Sequence, residues 1–240
     1  MRFFSPILLA LIGSVACAFG SDPAAKPLAE TGWTLSGDHN GVALYSRTRP
    51  DSPLKEFKAV GIIDAPTRVV HNVLDDVDGY PRFMPFTAEC RIIKRDGNSI
   101  YSYQRIAPKI CHDRDYTLHI QEMSWPGKDG LVYLNEWKPA NEVGPAAKKG
   151  VLRVMQCEGK WLLEPAGPDK TRATYCVYTD NGGSLPAFIA NTAGKIGIRR
   201  IFAAVRNQVK DAKYYQDRDF LGGEQEAQSK KNPPETKEPL

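Results

Sequence analysis

Two spacings of apolar residues alternate along the chain. Val42–Arg47 and Lys55–Asp64 carry the every-second-residue pattern of half-buried strands, whereas Ala65–Asp76 sets Val69, Val70, Val73 and Leu74 at helical spacing behind Pro66. A turn-rich stretch, Asp78–Phe86, follows, and the period of two returns at Glu89. Glu89–Arg95 and Ser99–Ile106 are joined by Asp96 and Gly97, a hairpin signal. Asp115–Met123 and Leu131–Trp137 are joined through Pro126 and Gly127, and Gly150–Pro165 and Arg172–Asp180 through a Gly-Pro-Asp turn. From Pro186 to Tyr215 the spacing becomes helical again, which predicts a helix about 45 Å long. The succession predicts an α+β fold with an antiparallel sheet and one long C-terminal helix.

That last helix is unusual in composition. Phe188, Asn191, Gly194, Ile198, Ile201, Val205, Val209 and Ala212 fall near one line, thin in its first half and bulky in its second. Glycine inside a helix costs about 1 kcal/mol relative to alanine, so the glycines need a reason. Two reasons fit: a cavity beneath the first half with the helix start as its lid, or close packing of helix on sheet.

Composition changes the picture mainly at the chain ends. Arg2, an apolar run from Ile7 to Val15 and Ala16-Cys17-Ala18 make residues 1–18 read as a signal peptide, so the mature protein is expected to be exported, soluble and periplasmic. Acylation at Cys17 is the weaker alternative, because Ser14 stands where a Leu-like residue is expected. Residues 19–30 read as a flexible segment and 31–221 as one domain. Residues 222–240, charged and proline-containing with almost no apolar side chain, read as a disordered tail.

The net charge of +4 is spread over 240 residues without a dense basic block, which argues against nucleic acid. Cys90, Cys111, Cys157 and Cys176 remain after processing, and they fit either disulfides or buried thiols. His39, His71, His112 and His119 lack metal-ligand spacing, and no G-x-S-x-G is present. In Cys111–Tyr116, neighbours on a strand point to opposite faces, so the cluster is no catalytic constellation by spacing. Arg114 and Asp115 read as an ion pair or turn-fixing pair there. The four tryptophans read as core. No metal, cofactor or catalytic residue is predicted.

Five segments carry a resemblance: "GWTLSGDHNGVALYSR" from Gly32, "KEFKAVGIID" from Lys55, "DRDYTL" from Asp113, "GVLRVMQC" from Gly150 and "YTDNGGSLPAFIAN" from Tyr178. In this order, from Trp33 to about Lys213, the chain resembles the START lipid-transfer family. The resemblance implies a helix-grip fold: a curved antiparallel sheet around the C-terminal helix, enclosing a tunnel for one lipid. It implies a gate at Gly182, Gly183 and Pro186, although Asp180-Asn181-Gly182-Gly183 departs from the family's Asn-Pro-Gly-Gly.

In the family's phosphatidylcholine-carrying members an aromatic cage holds the choline. Its positions fall on Tyr103, Tyr116 and Cys157, so two aromatics are present and one is missing. The arginine that meets the phosphate falls on Tyr80, with Arg82 the nearest base, and the buried arginine of sterol-binding members falls on Ile120. A lipid is therefore implied without a head group. Leu118 shares a strand face with Tyr116 and Ile120. Arg153 shares one with Met155 and Cys157, and Phe188, Ile189, Asn191 and Gly194 open the last helix. The expected protein is a non-enzymatic monomer with transient membrane contact. A cyclase-type enzyme on the same fold and an accessory protein with a collapsed cavity remain the alternatives.

Overall fold

The computed structural model describes residues 31–216 apart from 51, 109, 110 and 184. The expected signal peptide 1–18, segment 19–30 and tail 222–240 lie outside the described residues.

Hairpins build most of the sheet. β1 (Thr34–His39) and β2 (Val42–Arg49) turn at Asn40 and Gly41, both in the left-handed region at φ 53° and 68°. β3 (Ser52–Ile63) follows β2 directly. α1 (Thr67–Asp75) and the short α2 (Tyr80–Phe83) interrupt the strands, and β4 (Thr87–Asp96) pairs with β5 (Ser99–Ile106) through Gly97. β6 (Arg114–Gly127) pairs with β7 (Gly130–Pro139). β8 (Leu152–Arg153), β9 (Gln156–Pro165) and β10 (Thr171–Asp180) precede α3 (Ala187–Gln208). The sheet runs β1-β2-β3-β10-β9-β7-β6-β5-β4, antiparallel along that path, and β8 pairs with β6 in parallel. Strands far apart in that order line one cavity, so the sheet wraps round α3 in the helix-grip manner.

Several elements differ from the sequence reading. β1 carries a weak alternation with Leu35 exposed, and it is held by its hairpin rather than by burial. The turn-rich Asp78–Phe86 contains the end of a 3-10 turn and α2. The β6–β7 turn lies past Pro126 and Gly127, at Lys128 and Asp129, because Gly127 already pairs with Gly130. Gly150–Pro165 is not one strand: Arg153 grips Asp115 of β6 through Nε at 2.7 Å and Nη2 at 3.1 Å. That pair draws β8 to β6 before the chain leaves for β9. Asp115 is thus the partner of Arg153 and not of Arg114, whose Nε donates to Asn181 O at 3.2 Å.

The long helix ends at Gln208 and is about 33 Å long; Ala212–Tyr215 is a separate 3-10 turn. Its buried line is Ile198, Phe202, Val205 and Val209, while Phe188 is 72% exposed and Ala212 is exposed. These residues pack on α1, whose Val69, Val70 and Val73 are fully buried, and on Trp161, whose ring lies 5.3 Å from Phe202. Of the tryptophans, Trp161 is core and Trp125 is exposed on the far end of β6. All four described cysteines are thiols.

Candidate ligand-binding cavity

Under the first half of α3 lies a chamber of about 630 Å³, within the range of about 300–1,000 Å³ usual for small-molecule sites. Phe57, Tyr175 and Val177 form its floor, and Ile189, Ala190, Ala193, Gly194 and Gly197 its roof. Lys55, Arg114 and Arg200 supply the basic groups in its wall. The two helical glycines answer differently to the cost they impose. A Cβ on Gly194 would sit 3.0 Å from the Phe57 ring, tighter than side chains ordinarily pack, so the ring would have to give way for any larger residue there. A Cβ on Gly197 would meet no heavy atom within 4 Å, so that glycine leaves open volume.

The helix start is tied down lightly. Asn191 accepts from Lys55 N at 2.9 Å and donates to Pro53 O at 3.4 Å, bridging α3 to β3. Gly182 and Gly183 have φ of 62° and 76°, where an L side chain is strained, and Gly182 N donates to Asp180 Oδ1 at 2.9 Å. Pro186 immediately precedes the helix, and its carbonyl accepts from Ile189 and Ala190 N. Asn181 and Leu185, on either side of these glycines, line the chamber.

A second, inner chamber of about 150 Å³ continues from the first, and Pro85, Ile106, Tyr116, Cys157, Tyr175 and Ile201 line both. Its walls are aromatic and aliphatic, with Tyr80, Trp137 and Trp161 among them. Glu122 and Asn135 also line it. They are cross-strand partners on β6 and β7. Asn135 Nδ2 reaches Glu122 Oε1 at 3.4 Å and Asp75 Oδ1 at 3.3 Å.

Burial raises the pKa of both carboxyls, and hydrogen bonding between them raises Asp75 further. Behind them, burial lowers His71 to about 4; its Nε2 is 3.1 Å from Asp75 Oδ2 and its ring stacks on Tyr133. Burial also raises Tyr80 and Tyr116, and pushes the Cys157 thiol up to about 11, so none of the three ionises near neutral pH. Among the described residues no group of three His, Cys, Asp or Glu side chains is placed to hold a metal.

A model of the family described as polyketide cyclase/dehydrase and lipid transport matches residues 63–206. The chain belongs to that family. An uncharacterised protein of Pseudomonas aeruginosa is 29% identical over 189 residues, covering 74% of this chain and 85% of that protein. Human phosphatidylcholine transfer protein is 25% identical over 187 residues, covering 76% and 85%. The crystal structure of a STAR-related lipid transfer protein fragment from Xanthomonas axonopodis superimposes with a TM-score of 0.67 at 26% identity, covering 75% of this chain and 99% of that one. Human STARD10 gives the same TM-score at 18% identity, which speaks for the fold alone, covering 86% and 84%.

Within this START-type member the expected ligand residues separate into two sets. Tyr80, Tyr116, Leu118, Ile120 and Cys157 line the inner chamber, and Tyr116, Cys157, Ile189, Asn191 and Gly194 line the outer one. Tyr103, Arg82, Arg153, Met155 and Phe188 line neither. Tyr103 sits on the opposite face of β5 from Ile100 and Gln104, donates to Asp115 Oδ2 at 3.2 Å and lies under Arg91 and Lys148. The cross-strand partner of Tyr116 is Gln104, so Gln104 and not Tyr103 shares its face.

Of the remaining four, Phe188 is 72% exposed on the outer side of the helix start, and the other three have equally local causes. Arg82 is exposed and pairs with Asp76 at 3.6 Å. Arg153 is spent on Asp115, and Met155, 67% exposed, sits at the break between β8 and β9. Glu122, Asn135 and Trp137 belong to the site without having been singled out for it. Glu122 was within reach, since it follows Tyr116, Leu118 and Ile120 on one strand face.

Proposed function

We propose that this protein binds one lipid in the joined chambers and carries it between membranes without catalysing a reaction. The outer chamber carries the reading: it is roofed by the small residues of α3, floored by aromatics and continuous with a second chamber deeper in the fold. Each methylene buried there contributes about 0.8 kcal/mol, so an acyl chain or ring system supplies affinity without specific contacts. The kinship with phosphatidylcholine transfer protein and with the Xanthomonas STAR-related lipid transfer protein supports the same reading. The gate is the 180–186 loop with the first half of α3, which would lift on Gly182 and Gly183. Exposed Phe188 and Ile196 beside Lys195 and Arg200 suit that face for transient contact with a membrane surface.

Export to the periplasm after removal of residues 1–18, and action there as a monomer, complete the proposal. Native mass spectrometry of the purified protein tests it: the expected result is a mass excess of one lipid that disappears on denaturation, on a chain beginning at residue 19. Protein that is empty and takes up no lipid from mixed vesicles would overturn it. One observation favours a second reading, catalysis of the cyclase type: Asp75 and Glu122 form a buried carboxyl pair whose raised pKa values suit a general acid. Under that reading a polyketide-like substrate is turned over, and Glu122→Gln abolishes turnover.

A further inference from the structure

We propose that the outer chamber takes the anionic head group, a carboxylate or a phosphate, of a single-chain lipid, held by Arg114 beneath the gate loop, with the chain running on into the inner chamber. The proposal rests on the lipid-binding reading and names the class of lipid. Arg114 opens β6, is 5% exposed and lines the outer chamber. Its Nε donates to Asn181 O at 3.2 Å, and its Nη1 to His112 O and to Cys111 Sγ. Nη2 donates to no protein acceptor, and it is not among the side-chain nitrogens sealed from solvent. Among the described residues no carboxylate pairs with this guanidinium, whereas the largely buried Arg47 and Arg153 each hold one at 2.7 Å. A guanidinium stays charged in a protein, and a buried charge without a countercharge is costly. An anion brought by the ligand is therefore worth more here than in water.

The rest of the wall points the same way. Lys55 and Arg200 line the outer chamber with Arg114, and among the described residues no Asp or Glu does. Arg200 lies over the Phe86 ring at 4.9 Å, and neither it nor Lys55 has a carboxylate partner among the described residues. A phosphocholine would bring its ammonium among these same cations. No Lys, Arg or His lines the inner chamber, so a head-group anion placed there would lose its water without gaining a cation. An apolar chain suits that end, against Leu74, Ile100, Leu118 and Ile120. The lipid is thereby oriented with its head at the gate, away from Tyr80 in the inner chamber, onto which the phosphate-binding position of the phosphatidylcholine carriers falls. Through Asn181 O, the side chain that holds the head group also anchors the loop that covers it. Size sets the number of chains: the two chambers together hold about twenty-five groups of water or methylene size, at about 30 Å³ each. That suits one chain, and a two-chain phospholipid is larger.

Displacement of an uncharged fluorescent probe from the lipid-stripped full chain tests the proposal with dodecanoate, its methyl ester, dodecyl phosphate, dodecylphosphocholine and inorganic phosphate. Dodecanoate and dodecyl phosphate are expected to bind about tenfold tighter than the ester, and tighter than the phosphocholine. Inorganic phosphate alone is expected to leave the probe in place. Arg114→Met should bring both acids down to the affinity of the ester, and Lys55→Met, which serves if Arg114→Met does not fold, should weaken them about threefold. Equal binding of acid and ester by the native chain overturns the proposal and leaves the lipid-binding reading standing. So does tightest binding by the phosphocholine, or an acid preference that folded Arg114→Met retains in full. Displacement by inorganic phosphate would put a free anion in place of a lipid head group and overturns it too. If none of the five displaces the probe, the lipid-binding reading falls as well.

Discussion

The two halves of α3 are continuous in sequence and opposite in role. From Ala187 to Gly197 no residue of the helix is fully buried, and the inward positions are Ile, Ala, Asn and Gly lining the chamber; from Ile198 on, Ile198, Phe202 and Val205 are at most 3% exposed. One half excludes water with its own side chains, and the other leaves that task to a ligand. The difference teaches that stability and binding are divided along a single helix, so mutations in the two halves should fail in different ways. The largest effect belongs to the packed half. Phe202→Ala removes a ring packed against Trp161 and should cost about 3–5 kcal/mol, read as a lower urea midpoint, with lipid loading retained by the fraction still folded. A loss below about 1 kcal/mol would break the comparison.

Acid should attack the packed half next. His71 lies on α1, which packs on that half, and burial holds its pKa at about 4 against an ordinary value near 6.5. The unfolded chain therefore binds more protons between those values, so stability is lost as pH falls from about 6.5 towards 4. The full loss is about 3 kcal/mol. Asp75 and Glu122 act with the opposite sign: their raised pKa values remove stability as pH rises above the ordinary carboxylate range. His71→Phe should flatten the acid slope alone; an unchanged slope would put the acid limit in another group.

Hydrogen exchange sharpens the contrast further. In lipid-free protein, amides of 187–197 should exchange faster than those of 198–208, because Asn191 is the main polar tie of the first half to β3. Lipid at about a hundred times its dissociation constant should protect the first half by up to about a hundredfold. Equal protection along the whole helix would mean that the helix opens as one body.

Much of this arrangement can be read from residue order, and the remainder depends on register. The hairpin at Gly97, the helix behind Pro66, the long final helix and the family segments are local signals, and each sits where local chemistry puts it. Tyr103 shows the limit. The stretch Ser99–Ile106 is plainly a strand, but which face meets the cavity depends on its pairing with β6, and a slip of one residue exchanges Gln104 for Tyr103. The break after Arg153 was hidden for a similar reason: the carboxylate that draws the chain aside, Asp115, lies on another strand. Asp75, Glu122 and Asn135 meet only because α1, β6 and β7 converge, and no spacing along the chain announces such a trio.

The smallest effect isolates the difference best. Gly197 has room for a side chain, since an added Cβ meets nothing within 4 Å, yet glycine in a helix costs about 1 kcal/mol relative to alanine. If the residue served the fold, alanine would be the better choice. Gly197→Ala should accordingly raise stability by about 0.5–1 kcal/mol in lipid-free protein, while Gly197→Leu, projecting into the chamber, should leave the fold intact and abolish loading. Gly194 provides the control on the neighbouring turn: its Cβ would press on Phe57 at 3.0 Å, so Gly194→Ala should gain nothing from the same change. Urea titration of the lipid-free variants and native mass spectrometry after vesicle incubation separate these outcomes. A stabilised Gly197→Ala beside a non-loading Gly197→Leu would mean that this glycine is held for ligand volume at the expense of the helix; a destabilised Gly197→Ala would return it to the packing role of Gly194.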